Sequence, residues 1–460
     1  MGAPSVAGAR RSRRPPKLHG QAGALRSIVR AVSTTEPTGR IGRYLADAPP
    51  WLFSAYATTA AFATYFCMYA FRKPFAVGTF AGTVTIGGVV LDHKTVFVIA
   101  QVMGYATSKF LGIKVVSEMK PGRRALSLLA CIAAAELALV LFAVAPPGLG
   151  AVCLFFNGLP LGMVWGLVFG FLEGRRVSDL LGAGLCASFI LASGVVKSVG
   201  KSLLDGGMTE LWMPAATGAL FLVPLALFTA MLAQIPPPSE QDKAERMERL
   251  PMDAAARKAF FLRFAPGLVA LVVAYMALTA LRDFRDNFAR ELWDGLGYGS
   301  EPAILATAEI PVAAGSLVAV AALMGIRRSR LALAALHAMM LVGAVLILGS
   351  TSLFHAGLIS PATWMITVGL GLYMGYVPYN CVLFDRLIAA VGSVATAGFL
   401  IYVADAFGYL GSVALLLYKN LGARELSWVD TFSALSTGTA VLSIALLSFS
   451  GRYFWARAKV

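Results

Sequence analysis

Twelve apolar stretches of about 20 residues, six on each side of a basic linker, run through this 460-residue chain. A helix of about 20 apolar residues covers the hydrocarbon thickness of a bilayer, and in lipid only a helix or a closed barrel satisfies its own backbone. The stretches fall near 51–71, 94–113, 125–146, 148–172, 180–203 and 213–234, then near 264–282, 302–325, 331–350, 357–384, 395–418 and 430–450. Turn signals such as Ala145-Pro146-Pro147-Gly148 separate neighbours. The expected fold is an all-α membrane protein, with twelve transmembrane helices in two pseudo-symmetric six-helix bundles. Composition agrees, since 58% hydrophobic and 14% charged residues exclude a water-soluble domain of ordinary make-up.

The expected domains are a basic tail at 1–50, an N-terminal bundle at 51–234, a linker at 235–263, a C-terminal bundle at 264–450 and a short tail at 451–460. The first 50 residues hold nine Lys or Arg, among them Arg10, Arg11, Arg13, Arg14 and Lys17. They read as a disordered cytoplasmic tail, with a targeting segment or an over-extended start left as alternatives. The linker opens with Pro236-Pro237-Pro238 and carries Lys243, Arg246, Arg249, Arg257 and Lys258.

A net charge of +15 raises the question of nucleic acid. The placement of the charges answers it. With the N-terminus in the cytoplasm, the segments on that side hold 28 Lys or Arg against 8 on the other. That asymmetry gives a multi-pass protein of the cell inner membrane with both termini cytoplasmic. The expected surroundings are the lipid bilayer, with no nucleic acid partner and a monomeric state.

Cys67, Cys131, Cys153, Cys186 and Cys381 all lie in apolar stretches without metal-ligand spacing. They read as small buried hydrophobes. His19, His93, His337 and His355 are scattered, so neither a metal, a cofactor nor a catalytic set is expected, and the chain does not read as an enzyme. Gly158, Gly162, Gly166, Gly170 and Gly174 form a four-residue repeat that suits close helix packing.

Charges inside the spans carry the functional signal, because each costs about 2.5–3.5 kcal/mol on insertion scales and so faces protein or water. Steps of four and three put Tyr65, Tyr69 and Arg72 on one face of the first span. Tyr105 and Lys109 share a face of the second, and Arg282 ends the apolar run of the seventh. Together they would form a phenol-lined cationic cluster suited to an oxyanion. Snorkelling of Arg72 to the interface competes with this reading, while apolar Phe75–Phe80 would let the helix run on and place Arg72 deeper. Further intramembrane charges are Glu136, Lys197, Lys201, Glu309, Asp385 and Asp405. Of these, Lys197, Glu309 and Asp405 are expected as charge pairs or coupling groups.

The order Tyr65, Tyr69, Arg72, Lys73 resembles the organophosphate:phosphate antiporter branch of the major facilitator superfamily. Further matches are Gly104-Tyr105 and Ser108-Lys109-Phe110, Gly162 with Trp165, Leu281-Arg282, Glu309 with Gly315-Ser316-Leu317, and Phe407-Gly408-Tyr409-Leu410-Gly411. The resemblance implies two bundles around a central cavity, with Arg72 and Arg282 gripping phosphate beside Tyr65, Tyr69, Tyr105 and Lys109. It implies a secondary transporter exchanging a phosphate ester, a small anionic substrate, for phosphate. A transporter-like membrane sensor of such a ligand is the alternative. Two departures stand out. The loop after span two has Gly112-Ile113-Lys114 in place of a Gly-x3-Asp-Arg pattern, and Asp283, Arg285 and Asp286 follow Arg282, where an acid would neutralise it.

Overall fold

The computed structural model describes residues 39–458 except 118, 147, 173–174, 176–177, 240–253, 394–396 and 422–425. Most of the basic tail, the centre of the linker, Gly174 of the glycine repeat and residue 118 after span two lie outside the described residues.

A short helix α1 (Arg40–Ala46) precedes the first span, α2 (Pro50–Met68). The N-terminal half continues with α3 (His93–Ser117), α4 (Arg124–Val144), α5 (Gly150–Leu172), α6 (Ser178–Asp205) and α7 (Met213–Leu232). The C-terminal half holds α8 (Ala254–Asn287), α9 (Ala289–Gly295), the interrupted span α10 (Ile304–Thr307) and α11 (Glu309–Met324), and α12 (Ser329–His355). It ends with α13 (Pro361–Cys381), α14 (Leu383–Val391), α15 (Ala397–Leu421) and α16 (Trp428–Arg457). Nine described spans are long and apolar enough to cross a bilayer, ten when α13 and α14, bent by 58°, count as one. With α2 and α3, which carry the phenols and lysine of the expected site, the long helices number twelve among the described residues. The chain is a multi-pass all-α membrane protein.

Several boundaries differ from the apolar pattern. The seventh-span helix starts at Ala254 and continues to Asn287, so Arg282 to Asp286 lie inside a helix and not in a loop. Phe264 leaves helical geometry at φ −114° and ψ 15°, two residues before Pro266, whose ring and missing N–H disrupt the preceding turn. The last helix continues to Arg457, through most of the expected 451–460 tail. Between spans one and two, β1 (Thr83–Ile86) pairs antiparallel with β2 (Val89–Asp92). Its two-residue turn is Gly87-Gly88, with φ of 58° and 83°, the positive angles a tight hairpin demands.

Glycine sets the helix spacing on which the site depends. A side chain at Gly158 would run into the carbonyl of Gln101, and one at Gly104 into that of Phe155. The backbones of α3 and α5 therefore touch, as the glycine repeat suggests. In the other half α12 and α13 meet through Gly343 and Gly371, and α8 packs on α15 and α16. The halves meet where α6 touches α10, α11 and α13, and where α3 touches α15.

Candidate functional site

Span one does not run on as a helix past Arg72. Its α-helix gives way to a 3-10 turn at Tyr69–Phe71, and Pro74 opens a second one at Pro74–Val77. A helix that stops inside protein strands its last carbonyls, and two buried amides supply the partners. Gln101 donates to the Arg72 carbonyl at 3.1 Å and to Asn157 Oδ1 at 2.8 Å. Asn157 in turn donates to the carbonyls of Phe71 and Ala135, each at 3.0 Å. Spans two, three and four thus pin the turn that carries Arg72.

Tyr65, Tyr69, Arg72, Tyr105, Lys109 and Arg282 all line one cavity between the halves. Trp165, Phe189, Tyr376, Asn380, Asp405 and Tyr409 complete its wall. Arg72 is 5% exposed, which replaces the snorkelling reading. Its guanidinium lies 4.0 Å over the Tyr105 ring, and that of Arg282 lies 4.4 Å over Tyr376. Lys109 stands 5.4 Å from Tyr105 and 5.6 Å from Trp165. Tyr105 meets Tyr409 across the halves at 5.2 Å between ring centres. The enclosed space is about 30 Å³, room for about two waters.

Two of the three cations are already paired. Lys109 bridges to Asp405 at 3.2 Å, and Asp405 also accepts from the Tyr275 hydroxyl at 2.6 Å. Arg282 donates twice to Asp283 Oδ1, at 3.1 and 2.7 Å, while Asp283 Oδ2 accepts from Ser412 at 2.7 Å. The acid after Arg282 therefore neutralises it, as its position in the sequence suggests. Arg72 has no carboxylate within 4.0 Å among the described residues, and its Nε is buried without a hydrogen-bond partner.

Lys197 and Glu309 are not on this cavity. Both pair elsewhere: Lys197 with Asp286 at 2.7 Å and Glu309 with Arg285 at 2.7 Å. Asp286 also binds Lys73 at 2.5 Å and accepts from Ser193, while Lys73 donates to Asn287 at 2.9 Å. Lys94 pairs with Glu291 on the same end of the bundle, and Arg290 donates to the Val77 carbonyl at 2.5 Å. Each of these contacts except Arg285–Glu309 joins the two halves, so they are clamped together at the Arg72 end. Of the remaining candidates, Lys201 pairs with Asp205 at a span end at 2.5 Å. Glu136 Oε2 is buried without a hydrogen-bond partner, beside Gly218 and Phe71. Sequence reasoning missed Lys73 and Asp286 as partners, the Gln101–Asn157 pair, and Tyr376, Asn380 and Tyr409. Tyr409 stood in a matched motif and could have been found. Among the described residues no group of His, Cys, Asp or Glu is arranged to hold a metal.

This architecture is shared with solved membrane transporters. A D-xylose–proton symporter aligns over 85% of this chain and 96% of its own, with a TM-score of 0.60 and 13% identity. A bacterial homolog of the human lysosomal transporter Spinster, inward-facing and unoccupied, aligns over 90% and 99%, with a TM-score of 0.59 and 11% identity. A POT family transporter in complex with 5-aminolevulinic acid aligns over 87% and 96%, at 0.55 and 14%. At such identities the likeness speaks for the fold alone, the all-α major facilitator fold. Among curated proteins nothing matches. The chain belongs to a family described as a family of unknown function (DUF5690), whose model matches residues 74–457.

Proposed function

We propose that the protein is a secondary active transporter of a small organic anion, a phosphate ester exchanged for phosphate, working by alternating access. The observation that carries this reading is Arg72: a buried guanidinium on a phenol-lined cavity between the halves, with no carboxylate within 4.0 Å among the described residues. A guanidinium offers two parallel donors to a phosphoryl group. The wall of tyrosines adds hydroxyls that can donate to the remaining oxygens. That solved structures sharing this fold are transporters supports transport over catalysis.

The geometry suggests an order of events. A cavity of about 30 Å³ is far below the 300–1,000 Å³ of ordinary ligand sites, so the halves must part before substrate enters. Bound at Arg72, the anion would compete with Asp405 for Lys109 and with Asp283 for Arg282. The first competition breaks an ion pair that joins the halves, which links binding to rocking. Exchange follows if the empty site, closed by its own pairs, does not reorient without an anion. In the proposed orientation both termini and the linker are cytoplasmic in an inner membrane, the clamped Arg72 end faces away from the cytoplasm, and the protein works as a monomer without nucleic acid.

Counterflow in proteoliposomes tests the proposal. Vesicles loaded with phosphate should accumulate labelled glycerol phosphate or hexose phosphate. Binding of such esters without counterflow would instead make the protein a sensor. Neither binding nor counterflow in folded protein would end the anion reading.

A further inference from the structure

Away from the central cavity, α8 and α16 leave an apolar groove on the membrane-facing surface. Ala265, Pro266, Val269, Ala270 and Val273 form one wall, and Leu446 and Phe449 the other, around about 440 Å³. Its shape follows from the sequence. Gly267 lets Tyr453 and Phe454 close on α8, so the helices clasp at this point. Beyond it, small Ala and Pro side chains face Leu446 and Phe449 and leave a trough. Val269 and Phe449 are 47% and 50% exposed.

The mouth of the groove is basic. Arg263 stacks 5.3 Å from the Phe264 ring and Arg457 lies 3.7 Å over the Tyr453 ring. The Tyr453 hydroxyl donates to the Arg263 carbonyl at 3.4 Å, so both guanidinium-bearing segments meet at this tyrosine. Neither Arg263, Arg452 nor Arg457 has a carboxylate within 4.0 Å among the described residues. Residues 254–263 and 451–460 together hold Arg257, Lys258, Arg263, Arg452, Arg457 and Lys459, and no Asp or Glu. From Ala265, past the break at Phe264, to Val273 the helix rises about 12 Å, close to half of a roughly 30 Å hydrocarbon core. The trough thus has the depth of one leaflet, with cations at its headgroup end.

We infer that this groove is a binding site for an anionic phospholipid, with an acyl chain along α8 between Ala265 and Val273 and the headgroup phosphate on Arg263 and Arg457. A guanidinium pair matches a phosphodiester by charge-assisted hydrogen bonds, and the volume lies within the range of built ligand sites. A second copy of the chain is the competing occupant. Its like-charged rim would face itself, which disfavours it.

The test uses the full chain in detergent, titrated with dioleoyl phosphatidylglycerol or dioleoyl phosphatidylcholine in mixed micelles. Phosphatidylglycerol should raise Tm more than phosphatidylcholine, and the difference should vanish in the Arg263→Gln/Arg457→Gln double variant. Any shift with free glycerol phosphate, the ligand proposed for the central cavity, should persist in the double variant, and its loss there would assign the groove to free phosphate instead. If Ala270→Trp folds, it should also lose the response with both arginines present. On the unmodified protein, a phosphatidylglycerol carrying a mid-chain diazirine should label residues within 265–273 or 446–449. Equal shifts with both lipids, an undiminished shift in the double variant, absence of labelling in the groove, or crosslinking there to a second copy would each overturn the assignment.

Discussion

Arg72 and Arg282 face the same cavity, each guanidinium lying on a tyrosine ring, yet Arg282 is held by Asp283 at 2.7 Å while Arg72 meets no carboxylate among the described residues. The two cations expected to act as a matched clamp are therefore unequal in the closed structure. In the proposed transport cycle Arg72 would be open to an incoming anion, while Arg282 would first have to exchange its partner.

The inequality has a direct consequence for substitution. Arg72→Lys keeps the charge and loses the planar fork, removing a charge-assisted bond of about 1.5–3 kcal/mol, so anion affinity should fall roughly ten- to a hundred-fold. Arg282→Lys should instead lower Tm, with a smaller change in affinity. Titration calorimetry and melting curves on both variants check this, and equal affinity losses would restore the two-arginine clamp.

Asn157 joins three partners around the turn before Arg72: the Gln101 amide and the carbonyls of Phe71 and Ala135. Asn157→Leu leaves the Phe71 and Ala135 carbonyls without it, at a cost of about 1–3 kcal/mol for a buried unsatisfied group. Stability should fall and anion affinity should fall with it, because Arg72 moves with the turn. Normal affinity in a folded variant would show that the turn holds Arg72 without these amides.

Asp286 sits between Lys73 and Lys197, both nearly fully buried. Asp286→Asn leaves two buried ammonium groups uncompensated, and removing one partner of such a set costs about 3–5 kcal/mol. The Arg72 end should also open more readily. Thiol labelling of a cysteine placed at Ser198, whose hydroxyl now donates to the Pro302 carbonyl across the halves at 2.7 Å, should speed up in the variant. An unchanged labelling rate would separate the network from gating.

Glu210, in the connection between α6 and α7, supplies a pH signature. Burial pushes its carboxyl up, but hydrogen bonds from the Thr79 hydroxyl and the Thr79 and Phe80 N–H groups, with the Arg290 charge, outweigh this and hold it below the usual carboxylate range. A depressed folded-state value means the contribution is present above the unfolded value of about 4.3 and is lost as pH falls through the folded one. The Tm difference between wild type and Glu210→Gln should therefore be full at neutral pH and shrink below about pH 4.3. A difference that grows with acid would contradict it.

The helices and the cavity cations were legible because lipid leaves few options. Span length is set by hydrocarbon thickness, and Tyr65, Tyr69, Tyr105 and Lys109 follow helical spacing onto one side. Legibility failed where the backbone changed period. Past Met68 the chain turns with three residues per turn, so face arithmetic at 3.6 residues no longer says where Lys73 points. Asp286 was hidden by a span that extends five residues past its apolar run. Its partner Lys197 stands 89 residues earlier in the chain, a pairing that only the packed halves define. Tyr376 and Asn380 lie in a helix apolar enough to read as lipid-facing, although both are buried.

The clamp at the Arg72 end has two layers that will respond differently to ionic strength. Lys73, Lys197 and Asp286 have side chains only 3%, 4% and 13% exposed, whereas the rim pair Arg290–Glu210 is 22% and 30% exposed. Mobile ions screen charges in water over about 8–10 Å but hardly reach buried pairs. Added salt on that face will therefore loosen the rim while the core of the clamp keeps its grip.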